Sequence, residues 1–277
     1  KNIFTTFEFN MQRVLIQQLT LQTKLTSAIL DSNFQMYYQP QFDIRTNKLR
    51  GFEALIRWND EDLGDIPPSV FIPLAEETGL IIPIGNWVFE STIRTLKHWQ
   101  EAYDFKGIVS VNVSPMQLKQ EDFLENLFAI LDKYKVDYRY LEIEITEGIM
   151  INNMRATIDK LDILRSMGLK VSLDDFGTGY SSLNYLQTLP LNTLKIDKSF
   201  ISNITAEDGI QANITNSIIK MVDKMGLETI AEGVENEDQL DLLKDFNCNV
   251  VQGFHSGKPM PVKLCDAFLA GNPSVLM

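Results

Sequence analysis

The chain has 277 residues, of which 44% are hydrophobic and 22% charged, a composition that can bury a full core and suits one large α/β domain. Its formal net charge of −12 argues against nucleic acid or an anionic membrane as a partner, because both require a basic surface. The sequence has no apolar run of the roughly 20 residues that span a bilayer, and Cys248 and Cys265 lack metal-ligand spacing and suit a reduced setting.

The first residues predict a helix followed by a β-hairpin. Apolar residues recur at helical spacing from Met11 onward. Residues 35–39 are typical of a strand that Pro40 ends, and residues 51–58 alternate like a second strand. The turn-like residues between these segments predict that the two strands are antiparallel.

After the hairpin, predicted helices and strands alternate along the chain. The predicted helices cover residues 68–82, 86–104, 116–134, 153–167, 181–188, 208–225 and 236–245. The predicted strands cover residues 108–113, 140–146, 169–174, 193–197, 228–232 and 248–252. Together with the hairpin this makes eight strands, which favours a (β/α)8 TIM-type barrel with an irregular, antiparallel first strand over an open doubly wound sheet.

The segment 169–183, LKVSLDDFGTGYSSL, is the most informative part of the chain. Val171 and Leu173 alternate with polar residues until the strand stops at Asp174 and Asp175, and a glycine-rich loop follows. An isolated pair of aspartates is more often a turn or cap than a site. A strand that ends in a polar loop is nevertheless where α/β proteins place their chemistry, so the other strands must decide.

The other strands also carry polar residues where a barrel lumen is expected. Side chains alternate faces along a strand, so the apolar parity marks the face toward the helices and the opposite parity marks the lumen. Near the strand ends every predicted strand contributes at least one polar residue to the inward parity. These residues are Gln39, Glu53 with Arg57, Asn112, Glu144, Asp174, Lys195 with Asp197, Glu232 and Gln252.

Three further acids follow strand ends directly and raise the number of acids predicted at this end of the barrel to seven. The seven are Glu53, Glu144, Glu147, Asp174, Asp175, Glu232 and Glu235. Singly, each acid is more often a cap or surface charge. Jointly they need a counter-charge that Lys195 and Arg57 cannot supply. Oxygen ligands without thiol or imidazole favour hard cations, so the ring predicts a site for two Mg²⁺ or Mn²⁺ ions.

The motifs of this chain resemble those of EAL domains, the bacterial phosphodiesterases that open the second messenger cyclic di-GMP. The signature Glu53-Ala54-Leu55 stands within GFEALIRW. The likeness spans residues 25–262 and includes YQP at 38–40, NVS at 112–114, EITE at 144–147, DDFGTGY at 174–180, LKID at 194–197, AEGVE at 231–235 and QGF at 252–254. Three letters alone are weak evidence, but this ordered set is specific.

The resemblance implies roles for individual residues. The implied metal ligands are Glu53, Asn112, Glu144, Asp174, Asp175 and Glu232. The implied catalytic residues are Glu53, Lys195, Glu232 and Glu147. The implied substrate contacts are Gln39, Arg57, Asp197, Glu235 and Gln252. Among these, Lys195 would contact the catalytic water, Glu232 would serve as ligand or base, and Glu147 would hold the glycine-rich loop through its backbone or through Thr178.

The resemblance also implies the activity and its setting. Residues 23–277 would form an EAL phosphodiesterase domain that hydrolyses cyclic di-GMP to linear pGpG, and residues 1–22 a linker or helix remnant of a longer protein that does not bind DNA. A homodimer, an upstream sensory or GGDEF domain and a cytoplasmic location are implied, with membrane anchoring of the parent protein left open. The part of the dimer interface implied within this chain is the helix near residues 181–189.

The alternative is a receptor that binds cyclic di-GMP without turnover. Such modules usually lack one metal ligand or the DDFG loop, whereas here each matching position is filled. Another barrel enzyme with a divalent metal would share the fold but would not explain the full set of motifs.

Overall fold

The computed structural model describes residues 9–31, 33–148, 154–177, 186–206 and 209–271. The α-helices in these ranges are α1 (Phe9–Asp31), α2 (Pro68–Thr78), α3 (Ile81–Tyr103), α4 (Pro115–Lys119), α5 (Phe123–Tyr134), α6 (Met154–Ser166), α7 (Lys198–Ile201), α8 (Ile210–Lys224), α9 (Glu237–Asp245) and α10 (Val262–Leu269). The strands are β1 (Phe34–Asp43), β2 (Leu49–Asp60), β3 (Gly64–Ile66), β4 (Ile108–Val113), β5 (Leu141–Thr146), β6 (Lys170–Phe176), β7 (Thr193–Ile196), β8 (Glu228–Glu232), β9 (Val250–Gln252) and β10 (Met260–Pro261).

Eight of these strands close into a barrel. Their order is β1, β2, β4, β5, β6, β7, β8 and β9, and β9 returns to β1. Neighbouring strands are parallel from β2 to β9, whereas β1 runs antiparallel to both β2 and β9. The short strands β3 and β10 add antiparallel pairs to β2 and β1. The predicted (β/α)8 barrel with an irregular, antiparallel first strand is therefore confirmed.

Strand β1 passes through Pro40, so the predicted end of the strand at that residue is wrong. Strand β10 pairs with β1 up to Tyr38, and β9 pairs with it only from Phe42 onward. Pro40 lies in the gap between these two partners, where its missing N–H breaks no ladder bond. The strand can therefore continue to Asp43.

One predicted helix also differs from the structure. The helix predicted at residues 116–134 is divided into α4 and α5, because Gln120 leaves the helical region with φ −60° and ψ 136°. The helix predicted near residues 181–188 falls mostly outside the described residues, and so does most of the implied dimer helix.

The core lies between the barrel and its surrounding helices, and an aromatic cluster fills it where β1 meets β2. The ring of Trp99 on α3 lies 4.8 Å from that of Tyr38, 4.9 Å from that of Phe52 and 5.6 Å from that of Phe105, measured between centroids. Tilted and edge-on contacts of this kind add to the burial of apolar area. The buried indole N–H donates to Asp266 Oδ1 at 2.8 Å, which joins α3 to α10.

Among the side chains of α1 that the structure describes, those toward its C-terminal end pack against the rest of the domain. Leu25 and Ala28 are fully buried, whereas Ile16 and Leu19 are 54% and 55% exposed. Lys24 forms ion pairs with acids at the end of β2 and in the turn that follows. Although α1 and α3 have 23 residues each, no helix within the described ranges is apolar enough over a sufficient length to cross a membrane.

A substitution in β2 tests the barrel closure. A Cβ at Gly51 would lie 1.9 Å from the backbone oxygen of Ile108 on β4, which cannot move without breaking the β2–β4 ladder. We expect Gly51→Ala to lower the free energy of unfolding by about 3 kcal/mol or more. Gly64→Ala is the control, because its Cβ would meet no described atom within 4 Å and only the backbone with φ +69° is strained, at a cost of about 1 kcal/mol. Equal melting temperatures for the two variants would contradict this account.

Candidate active site

Strand β6 carries the two central aspartates at a bulge. The register against β7 shifts so that Asp174 and Asp175 together occupy the place opposite Lys195. Asp175 adopts a left-handed backbone with φ 53°, which aspartate tolerates better than most residues. In a regular strand the two side chains would point to opposite faces, but bulges redirect side chains. As a result, carboxylate oxygens of Asp174, Asp175 and Glu232 lie within 4.8 Å of one another.

Lys195 lies fully buried among four carboxylates from four other strands. Its Nζ is 2.7 Å from Glu144, 2.7 Å from Glu232, 3.1 Å from Asp174 and 3.4 Å from Glu53. Burial alone lowers the pKa of Lys195, but the four carboxylates together outweigh burial and raise it well above the ordinary 10.5. Lys195 is therefore a permanent positive charge within the ring.

A second group of acids overlaps the first. Oxygens of Glu53, Glu144 and Asp174 also lie within 4.8 Å of one another, so Asp174 belongs to both groups. Asn112 donates from Nδ2 to Glu53 Oε1 at 2.7 Å and thereby joins this group. Glu144 Oε1 is buried with no hydrogen-bond partner among the described residues. Such an atom is costly unless a ligand completes its contacts.

Burial and crowding raise the pKa values of Glu232 and Glu144. Burial, followed by the charges of Asp174 and Glu53, raises the pKa of Glu232 to about 8 against the opposing effect of Lys195. Burial and the same two neighbours raise the pKa of Glu144 well above its usual 4.5. Without a cation, the ring therefore retains protons near neutral pH.

Two buried glutamines lie beside Glu53. Gln252 Nε2 donates to Glu53 Oε2 at 2.6 Å and to Gln39 Oε1 at 3.1 Å. Gln39 Nε2 in turn donates to the backbone oxygen of Gly257 at 3.1 Å. Burial would raise the pKa of Glu53, but Lys195 and the hydrogen bonds to Glu53 outweigh it and lower that pKa. Because Gln39 and Gln252 are only 9% and 4% exposed, their burial favours support of Glu53, and the predicted substrate contacts stay predictions.

Glu147 joins the loops that follow β5 and β6. Its Oε1 accepts a hydrogen bond from the backbone N–H of Gly177 at 2.9 Å, as expected from the sequence. The other expected partner, Thr178, lies outside the described residues. Gly177 has φ +98°, and a Cβ there would lie 2.4 Å from the ring of Phe200, so the loop needs glycine at this position.

Arg57 is half-buried at the edge of a cavity beside the ring. Its guanidinium lies 5.4 Å from the centroid of the Tyr37 ring, and Nη1 donates to the backbone oxygen of Ile56 at 2.9 Å. The cavity has a volume of about 330 Å³, and Arg57, Asn112 and Asp175 are among its lining residues. Arg57 therefore lies where a ligand of the acidic ring would extend.

Asp197 and Glu235 belong to neither of the two groups of three acids. Asp197 caps α7, since its Oδ1 accepts from the backbone N–H of Ser199 at 2.9 Å. Burial, then the charges of Asp174 and Asp197, raise the pKa of Asp175, which places Asp197 within the electrostatic reach of the ring. Glu235 is exposed. Substrate contacts of both residues stay predictions.

Sequence reasoning missed two residues below the ring, Gln41 and Arg50. Gln41 has the same parity as Gln39, so the alternation along β1 could have identified it. Arg50 has the outward parity of β2, but the register shifts from Gln41 opposite Gly51 to Phe42 opposite Leu49, which leaves Arg50 as an extra residue. The bulge directs its side chain to buried partners, and parity cannot reveal that.

Comparison with known proteins identifies the family. A family model, that of the EAL domain, matches residues 22–259. The chain belongs to the EAL domain family. The EAL domain described here is 40% identical over 266 residues to the protein sll1895 of Synechocystis, covering 95% of this chain and 38% of that protein. It is 36% identical over 263 residues to MucR of Pseudomonas aeruginosa, a bifunctional diguanylate cyclase/cyclic di-GMP phosphodiesterase, covering 95% of this chain and 38% of MucR.

A solved structure is similar over nearly its whole length. The PaMucR phosphodiesterase in complex with c-di-GMP matches with a TM-score of 0.84 and 35% identity, covering 89% of this EAL domain and 99% of that chain. The domain spans about two-fifths of the length of the two curated relatives, at 38% of each.

The pKa of Glu232 leads to a prediction about metal binding in this EAL domain. Below about pH 8 a cation that binds the Glu232 carboxylate has to displace its proton, whereas well above this pH the carboxylate is already ionised. We therefore expect the affinity for Mn²⁺ to rise between about pH 6 and pH 8, by up to roughly tenfold per pH unit for one displaced proton, and then to level off. Calorimetry in two buffers of different ionisation enthalpy would measure the released proton. A constant affinity across this range, without proton release, would show that cations and protons do not compete here.

Proposed function

We propose that this domain is a cyclic-guanylate-specific phosphodiesterase that hydrolyses cyclic di-GMP to linear pGpG with bound Mg²⁺ or Mn²⁺. The observation that carries the proposal is a ring of five carboxylates whose oxygens form two overlapping groups of three. The five are Glu53, Glu144, Asp174, Asp175 and Glu232. MucR and the c-di-GMP complex of the PaMucR phosphodiesterase support the choice of substrate.

Charge and ligand chemistry support two divalent cations. When all are ionised, the five carboxylates and the Lys195 ammonium carry a formal charge of −4, equal and opposite to that of two divalent ions. The donors are oxygen atoms, which hard cations prefer, and Glu144 Oε1 is buried without a partner in the described part of the chain. One ion would be held by Glu53, Asn112, Glu144 and Asp174, and the other by Asp174, Asp175 and Glu232.

Bound cations supply Lewis-acid polarisation of the phosphate and lower the pKa of water. The side chains supply orientation and proton transfer. Arg57 can bind a phosphate oxygen through its planar set of N–H donors. The side chain of Glu232 is 17% exposed, so a carboxylate oxygen can take a proton from the attacking water. Lys195 Nζ, 2.7 Å from Glu232 Oε1, holds that carboxylate in place.

The proposed reaction is a balanced hydrolysis. The oxygen of water bonds to phosphorus, and the bond between phosphorus and the 3′ oxygen breaks. The proton taken by Glu232 returns to the 3′ oxygen. Breaking one phosphodiester bond of cyclic di-GMP in this way gives the linear dinucleotide with a 5′-phosphate.

Incubation with cyclic di-GMP and Mg²⁺, followed by chromatography, tests the proposed function. We expect pGpG to form with Mg²⁺ or Mn²⁺ and to disappear in excess chelator, while Ca²⁺ supports little turnover because its coordination is larger and looser. Glu53→Ala is the inactive control. Full activity in excess chelator would exclude the metal site, and binding of cyclic di-GMP without product would establish the receptor alternative.

Asp175→Asn separates binding from turnover. Asparagine keeps the size of the side chain and tolerates the left-handed backbone at this position, but it removes one of the charges that would hold the second cation. We expect nucleotide affinity close to that of the wild type and a loss of turnover on the order of 100-fold. Calorimetry with cyclic di-GMP and the turnover assay on one preparation measure both quantities.

Asp159→Asn on the exposed face of α6 is the matched control for loss of one carboxylate. It should turn over like the wild type. If Asp175→Asn does so too, the second cation is not needed for hydrolysis.

We further propose that the domain acts within a longer protein. Residues 1–22 would link it to an upstream sensory or GGDEF domain. Two features of MucR support this setting: this chain covers only 38% of MucR, and MucR is also a diguanylate cyclase. The exposed Ile16 and Leu19 of α1 are suited to contact such a domain. A homodimer and a cytoplasmic location complete the proposed setting.

A further inference from the structure

A second ionic cluster lies at the N-terminal end of the barrel, below the carboxylate ring. The side chain of Arg50 is 6% exposed and forms ion pairs with Glu142 at 2.9 Å and with Glu228 at 2.7 Å. Glu142 is fully buried and also accepts hydrogen bonds from Thr193 at 2.6 Å and from Ser110 at 3.3 Å. This cluster is satisfied by its own residues and has no evident part in the proposed chemistry.

A continuous chain of hydrogen bonds joins this cluster to the carboxylate ring. Arg50 Nη1 donates to Gln41 Oε1 at 2.7 Å, and Gln41 Nε2 donates to Gln252 Oε1 at 2.9 Å. Gln252 Nε2 then donates to Glu53 Oε2 at 2.6 Å. Gln41, Gln252 and Glu53 are 0%, 4% and 5% exposed, so little water competes for these bonds.

The two ends of the chain decide how its amides are oriented. A guanidinium can only donate hydrogen bonds, so the oxygen of Gln41 must face Arg50. Its NH₂ group then faces Gln252, which must accept through its oxygen. The NH₂ group of Gln252 is left to face Glu53, a carboxylate that can only accept. The hydrogen bonds of Gln39 are consistent with this orientation of Gln252. Gln39 accepts from the NH₂ group of Gln252 and donates to the backbone carbonyl of Gly257.

We propose that Arg50 and Gln41 are positioning residues for the metal site, acting on Glu53 through Gln252. Glu53 Oε1 is held by Asn112 and Oε2 by Gln252, so the orientation of the carboxylate depends on which group Gln252 presents to it. Hydrogen-bond partners that orient a metal ligand commonly contribute 10- to 100-fold to affinity or activity. The inference rests on the proposed function only in taking Glu53 as a metal ligand.

Gln41→Glu tests the polarity of the chain. The new carboxylate accepts from Arg50 as before but cannot donate to Gln252, whose amide must then turn its oxygen toward Glu53. Gln41→Leu removes the same donation without adding a charge. For Gln41→Glu we expect affinity for Mn²⁺ alone, measured by calorimetry or electron paramagnetic resonance, to fall about 10- to 100-fold. For Gln41→Leu we expect a smaller fall, because the amide of Gln252 loses the bond that fixes it but can still donate to Glu53. At saturating Mn²⁺ the KM for cyclic di-GMP should change little, because Gln41 does not reach the cavity beside Arg57.

Thr193→Val is the matched control. It removes the hydrogen bond that Thr193 donates to Glu142 at 2.6 Å and the one that it accepts from Arg50 Nη2 at 3.3 Å. It leaves the bond from Arg50 Nη1 to Gln41, and with it the path to Glu53, intact. We expect a lower melting temperature and an Mn²⁺ affinity within about twofold of the wild type, since only stability depends on those bonds.

The outcomes separate this inference from the proposed function. If the Gln41 variants lose melting temperature but bind Mn²⁺ like the wild type, the chain is structural only and the inference is wrong. If the wild type binds Mn²⁺ and the variants bind it weakly, the inference holds, whether or not pGpG is formed. Absence of pGpG would contradict only the proposed phosphodiesterase activity. A wild type that binds no Mn²⁺ would overturn both.

Discussion

The charge imbalance around Lys195 is the constraint on which the site depends. Four carboxylates lie within 3.4 Å of one ammonium, and Asp175 adds a fifth acid to the same ring. Buried charges of one sign are unfavourable unless they are paired, so the folded protein must hold protons or cations at the ring. The raised pKa values of Glu144 and Glu232 and the proposed cation site are therefore two consequences of one arrangement. The barrel has to be stable enough elsewhere to tolerate it.

Irregularities of the backbone build much of this arrangement. A regular β6 would direct only one of its two aspartates to the lumen, and the bulge opposite Lys195 directs both. A second bulge in β2 makes Arg50 an extra residue and lets it enter the lower cluster. Bulges of this kind are frequent beside active sites because they redirect side chains without changing the fold.

The contrast between regular strands and bulges explains how far the sequence could predict the structure. Alternation correctly placed Glu53, Glu144 and Lys195 in the lumen, because strands buried between helices and neighbouring strands keep a strict period of two. It failed where a neighbouring strand decides the local geometry. Pro40 is tolerated because β9 and β10 leave a gap beside it, and Arg50 turns inward because β1 imposes a shift of register. Such pairings join residues far apart in the chain, so local composition does not contain them.

Strand β5 provides an internal comparison between the two ionic clusters of the barrel. Glu142 and Glu144 are two residues apart on one face, and both are fully buried. Both oxygens of Glu142 have partners in Arg50, Thr193 and Ser110, and these bonds outweigh burial and lower its pKa. Glu144 has Lys195 on one oxygen, no partner among the described residues on the other, and a raised pKa. Burial is equal at the two positions, so the missing partner, rather than the buried charge itself, marks the upper cluster as the one suited to bind a ligand.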